Sequence, residues 1–214
     1  MTATAQTRLQ PGFDDPVLES QSVFRALLDA MARPGQPQDI AQESVLTLEV
    51  PAPLRPVAAA ICLTLLDVDT ALWLDAPARA SEDLRRFLVF HCGCPLTEDP
   101  AAAAFALITD PLAMPPLGAF GQGTAEYPDR STTLVIQVEA LGEAGGETLG
   151  EEGGAVLRGP GIEHSRRFRA APLPPDFWAQ AQANRALFPR GVDLVFAAPE
   201  RLAALPRSSR LEIV

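Results

Sequence analysis

Lysine is absent from this chain of 214 residues, and all 17 of its basic side chains are arginine. Without an ε-amine the chain cannot form a Schiff base with a carbonyl substrate or with pyridoxal phosphate, and it cannot set a P-loop lysine on a nucleotide. Cysteine is also scarce. Cys62, Cys92 and Cys94 are too few and too unevenly placed for a disulfide framework, which fits a reducing compartment. Long apolar runs are missing as well: the N-terminal MTATAQTRLQPGFDD lacks the core of a signal peptide, and no segment reaches the length of a membrane span. The expected location is cytoplasmic, with no membrane partner. Positive charge is outweighed by 27 acidic residues, leaving a formal charge of −10. A grip on phosphate backbones needs clustered positive charge in excess, so nucleic acid is not an expected partner. No G-x-S-x-G elbow or H-E-x-x-H pair occurs, so hydrolase and zincin chemistry has no residues to stand on.

What is present reads as a globular chain, 47% hydrophobic and 21% charged, of a length suited to one core. Residues 1–12 are polar and read as a disordered tail, and residues 13–214 as a single α/β domain. Asp14 or Asp15 caps a first helix with Pro16 in its first turn, and Val17, Phe24, Leu27, Leu28 and Met31 fall on one 3.6-period face. Arg33-Pro34-Gly35 ends it. A second helix is expected from Leu54 to Leu66, apolar on most sides and therefore buried, followed by a turn at Asp67, Asp69 and Thr70 and a strand at Ala71 to Leu74. Ser81 caps a third helix, whose face is Leu84, Phe87, Leu88 and His91 and whose stop is Gly93 with Pro95.

Phe105 to Ile108 and Thr132 to Glu139 have strand composition, with a Pro/Gly-rich passage from Pro111 to Pro128 between them. Residues 142–154, rich in glycine and glutamate, read as an exposed hairpin loop between Leu134-Val138 and Ala155-Arg158. A tight turn at Gly159-Pro160-Gly161, a helix opened by Pro175 and Asp176, and strands at Val192 to Ala197 and near the C-terminus complete the pattern. This alternation predicts one mixed sheet covered by helices.

Candidate chemistry is sparse. Arg207-Ser208-Ser209 groups a guanidinium, two hydroxyls and backbone amides, which suits a cradle for phosphate or carboxylate and equally suits a plain turn. His91-Cys92-Gly93-Cys94 holds soft metal ligands, but without the paired-cysteine spacing of a structural zinc site it reads as a helix end with a packed histidine. No metal is expected there. Redox chemistry lacks a C-x-x-C. Arg166, Arg167 and Arg169 form a basic run that suits either a partner-facing patch or solvated charge. Gly121-Gln122-Gly123-Thr124 lacks the third glycine of a phosphate loop. No residue can be named as catalytic.

Several segments taken in order resemble one family. They are Phe24-Arg25-Ala26-Leu27-Leu28-Asp29-Ala30-Met31 with Pro34-Gly35, Leu65-Leu66-Asp67-Val68-Asp69-Thr70 with Trp73, and Arg86-Phe87 leading to Phe90-His91 and Pro95. The turn Gly159 to Ile162, Phe188-Pro189-Arg190-Gly191-Val192-Asp193 and Ala204-Leu205-Pro206-Arg207-Ser208-Ser209 follow. This set resembles the PhnH subunit of the bacterial carbon-phosphorus lyase system. Cys92 stands where the family commonly has threonine, so the resemblance gives no inherited metal site. It implies a fold similar to the large domain of pyridoxal-phosphate-dependent transferases, without that cofactor. It further implies a homodimer in isolation, partnership with PhnG, PhnI and PhnJ, and an accessory role beside PhnG, PhnI and PhnL. The reaction implied is formation of ribose 1-phosphonate 5-triphosphate from ATP and an alkylphosphonate. The competing reading is a stand-alone phosphate- or phosphonate-binding protein or transferase using Arg207, Ser208, Ser209 and His91.

Overall fold

The computed structural model describes residues 9–142 and 153–214. Its helices are α1 (Pro16–Ala32), α2 (Glu43–Leu46), α3 (Pro56–Leu65), α4 (Ala76–Ala80), α5 (Glu82–Cys92) and α6 (Phe177–Ala186). Its strands are β1 (Gln38–Asp39), β2 (Leu72–Leu74), β3 (Leu96–Thr97), β4 (Phe105–Ile108), β5 (Thr133–Gln137), β6 (Ala140–Gly142), β7 (Ala155–Arg158), β8 (Arg166–Ala171), β9 (Asp193–Ala197), β10 (Arg201–Leu205) and β11 (Arg210–Ile213).

Seven strands form a mixed sheet in the order β1-β10-β9-β5-β4-β2-β3, and only β10 runs against the others. The α/β class and the mixed sheet read from the sequence are therefore observed. The middles of the central strands are apolar, as strands covered on both faces should be, and polar residues (Thr133, Gln137, Asp193) stand only at their ends. Their alternation assigns two cores. Leu107, Val135, Val195 and Ala204 face one cluster, and Ile108, Ile136, Phe196 and Leu205 face the other.

The covering layers differ from the expectation of helices alone. Helices α1 to α5 cover the first face. The second is covered by α6 together with an antiparallel four-stranded sheet in the order β11-β7-β8-β6. The expected hairpin is corrected by this second sheet: β5 lies in the large sheet, and β8 separates β6 from β7, so the strands flanking the 142–154 segment do not pair with each other. Residues 143–152 of that segment, and most of the 1–12 tail, lie outside the described residues.

Local signals placed most helix ends. Asp15 caps α1 by accepting from the amides of Val17 and Leu18, Ser81 caps α5 through Leu84, and Gly93 closes α5 in the left-handed conformation with φ 69°. The face of α1 is a correction. Its buried residues are Glu19, Val23, Leu27 and Ala30, whereas Val17, Leu18, Phe24 and Leu28 point outward. Glu19 is accommodated inside because its carboxylate accepts from the Asp14 amide and from Ser44 Oγ. Leu27 and Met31 of the expected face do meet the core, and a polar residue at a core position rotates the rest of the face away from the expectation.

Candidate functional site

Arg207 follows β10, and its side chain turns inward. Its guanidinium pairs with Asp193 at 3.0 Å and donates to Ser131 Oγ at 2.5 Å, to the Gly191 carbonyl at 3.1 Å and to the Pro128 carbonyl. Its main-chain amide donates to the same carboxylate at 2.8 Å. These bonds tie the starts of β5 and β9 to the end of β10, and they occupy the donors that an anion would need. The Ser208 carbonyl accepts from Arg185 Nε at 3.1 Å. Ser209 is buried, and its hydroxyl has no hydrogen-bond partner. Beside it lies a cavity of about 10 Å³, room for roughly one water.

His91 lies on the helical side of the sheet and shares no bond with the Arg207 segment. Its Nε2–H donates to the Gln10 carbonyl at 3.0 Å, and its ring packs on Phe87 and Phe90 with centroids at 4.6 and 5.0 Å. The fold thus keeps Arg207, Ser208 and Ser209 together, in the other core, and His91 apart from them.

In open α/β sheets, ligands favour the carboxyl ends of the parallel strands where the strand order reverses. Here that place lies between β2 and β4, and Asp75 fills it. This buried carboxylate accepts from the Thr109 amide at 2.6 Å, the Asp110 amide at 2.8 Å, the Ala78 amide at 3.1 Å and the Thr109 hydroxyl at 2.9 Å. Backbone amides converging in this way form a nest for an anion. The chain supplies that anion itself. Sequence reading missed Asp75, although an Asp-Ala-Pro step directly after an apolar strand carries the signal of a helix cap.

The cysteines gather although they are far apart in sequence. Cys62 and Cys94 are buried, and the Cys92 thiol donates to the Cys62 carbonyl at 3.7 Å. Burial pushes the Cys62 thiol up to about 12, and Cys92 is also raised, first by its interaction with the neighbouring Cys94 sulfur, which is lowered in turn, and then by burial. The Cys62 and Cys92 thiols are thus held protonated and poorly nucleophilic at neutral pH. Among the described residues, no group of three or more His, Cys, Asp or Glu side chains is placed to hold a metal. No helix there is long and apolar enough to cross a membrane.

The basic run is resolved in part. Arg166 donates to the Arg33 and Pro34 carbonyls at 3.3 and 3.0 Å, closing the C-terminal end of α1 from within the chain. What the inward-facing groups leave is a surface. Phe24 and Leu28 on α1, Val89 and Phe90 on α5, and Phe188 after α6 are exposed, and all but Val89 belong to the segments that carried the family resemblance.

Comparison with known proteins bears on this arrangement along almost its whole length. The chain is 43% identical over 213 residues to the alpha-D-ribose 1-methylphosphonate 5-triphosphate synthase subunit PhnH of Rhizobium meliloti (strain 1021), covering 98% of each chain. It is 31% identical over 195 residues to a protein of Stutzerimonas stutzeri named as a candidate C-P lyase subunit, HtxG, covering 90% of this chain and 86% of the relative. The family model described as bacterial phosphonate metabolism protein (PhnH) matches residues 11–212, and the chain belongs to that family.

Proposed function

We propose that this chain is an accessory subunit of the carbon-phosphorus lyase system, acting with PhnG, PhnI and PhnL in forming ribose 1-phosphonate 5-triphosphate from ATP and an alkylphosphonate. The observation that carries the reading is the 43% identity over nearly the full length to a named synthase subunit. The internal chemistry agrees with it. The Arg207 guanidinium and the backbone nest at Thr109 and Asp110, the two places best suited to an anion, are engaged with the chain's own Asp193 and Asp75. In this reading the chain is a cytoplasmic homodimer when isolated, and it joins PhnG, PhnI and PhnJ through its surface. Its fold is similar to the large domain of pyridoxal-phosphate-dependent transferases, without the cofactor. The mixed seven-stranded sheet with one antiparallel member supports that likeness, and the missing lysine leaves no Schiff-base partner.

The test has two arms. The purified chain is mixed with the other synthase subunits and complex formation is followed by size exclusion. The isolated chain is then titrated with ATP and with alkylphosphonates by calorimetry. A stable complex with no ligand binding by the isolated chain is the expected result. Tight binding without partners would instead establish the stand-alone reading built on Arg207, Ser208 and Ser209, for which the unpartnered Ser209 hydroxyl is the favouring observation.

A further inference from the structure

Helix α5 has two faces of different character. Leu84, Phe87 and Leu88 fill the core, and the opposite side borders a groove of about 460 Å³. Leu9, Val89, Phe90 and Leu96 give this groove its apolar lining, and Glu82, Arg85 and Arg86 give it charge. Phe90 is 70% exposed, an aromatic ring left in water although its burial would be worth about 2 kcal/mol. One edge of the ring is nevertheless backed by its neighbour His91, which meets it at 5.0 Å and is itself tied to the Gln10 carbonyl. An anchor already backed on one side has less freedom to lose on docking.

The charges around the ring are unpaired. Arg85 and Arg86 are exposed, and among the described residues neither guanidinium makes an ion pair or a hydrogen bond. Glu82 stands one turn before Arg86, at the spacing that favours a helical ion pair, and no such pair forms. An exposed aromatic beside free arginines is the composition of an interface hot spot.

Resting on the subunit reading above, we propose that this groove docks another subunit of the same assembly through an apolar side chain flanked by carboxylates. Phe90 is the anchor, and Arg85 and Arg86 are the charge partners. A second copy of this chain fits less well, because a two-fold axis through the groove would bring four guanidiniums together against two carboxylates, one Glu82 from each copy, so that like charge predominates. A small anion fits less well too. The groove is open to water, and no buried amide or hydroxyl lines it.

The test uses the full chain and the remaining synthase subunits, with dissociation constants measured at low and at high salt. Phe90→Ala should weaken the complex by about thirty-fold or more, and Arg85→Glu with Arg86→Glu by about ten-fold while flattening its salt dependence. Phe90→Trp should retain binding. Leu112→Ala, an exposed apolar residue outside the groove, should change nothing. Each variant is scored only with an unchanged melting temperature, which substitution at exposed positions should give. Unchanged affinity in the groove variants would overturn the proposal and leave the subunit reading standing. Failure of the wild-type chain to bind any subunit would overturn both. Loss of self-association with intact subunit binding would assign the groove to a second copy, and loss of ATP or phosphonate binding alone would assign it to a small anion; either overturns the proposal.

Discussion

The carboxylate of Asp193 receives both the main-chain amide of Arg207, at 2.8 Å, and its guanidinium, at 3.0 Å. One aspartate at the start of β9 thus fixes the direction of a side chain that departs from the end of β10.

A largely buried, multiply bonded pair of this kind should govern stability rather than ligand affinity. Arg207→Ala leaves the Asp193 charge without its partner and should cost about 3–5 kcal/mol in urea unfolding. Arg207→Ala with Asp193→Ala should cost less than the sum of the two single changes, because the stranded charge is removed as well. Unchanged stability with lost phosphate affinity would show that the guanidinium faces a ligand instead.

Asp75 supports a second expectation. Its four donors include three backbone amides, so Asp75→Ala empties a nest that still points inward. The loss of charge-assisted bonds should lower stability by roughly 3 kcal/mol. Sulfate or phosphate at millimolar concentration should then raise the melting temperature of the variant more than that of the wild-type chain, because an anion can bind only where the carboxylate is gone. Equal shifts in the two proteins would exclude an accessible nest.

Much of this architecture was legible. The caps Asp15 and Ser81, the stop at Gly93, and the buried strands around Val135 and Leu107 were carried by local residue chemistry, which acts over a few positions. The second sheet was not. β7 has only four residues, and β8, RRFRAA, shows three arginines where a strand signal was wanted; only Phe168 and Ala170 reveal its inward side. Arg207 was singled out from its residue type. Its direction depends on Asp193, Ser131 and Gly191, which lie outside any local window. Val17 and Phe24 were drawn into the core because apolar spacing cannot distinguish a face that meets the sheet from one that remains uncovered.

The end of α1 and the turn between β7 and β8 approach each other closely at Gly161. Gly161 has φ 79°, and a Cβ built on it would lie 1.9 Å from the Ala32 carbonyl oxygen. Gly161→Ala therefore combines left-handed strain with a backbone clash, and it should cost at least about 3 kcal/mol or prevent folding. Gly118→Ala, where nothing lies within 4 Å, should be within about 0.5 kcal/mol of wild type. Thermal melts of the two variants side by side check the contrast. A well-tolerated Gly161→Ala would mean that the turn sits away from the helix end in solution.

Alkaline stability should report on Cys62. Its thiol is raised from 9.0 to about 12 by burial, so the folded chain keeps a proton that the unfolded chain releases. Below pH 9 both states are protonated and the contribution to folding is fully present. As pH climbs from 9 toward about 12, the unfolded state is increasingly favoured, at about 1.4 kcal/mol per unit for this one group. Cys62→Ala should be somewhat less stable than wild type at pH 7, because a buried sulfur is replaced by a small void, and the gap should narrow as pH rises through that window. Urea midpoints measured at successive pH values provide the test. Parallel curves for the two proteins would mean that Cys62 ionises equally readily in the folded and unfolded chain. That would contradict its burial between α3 and the sheet.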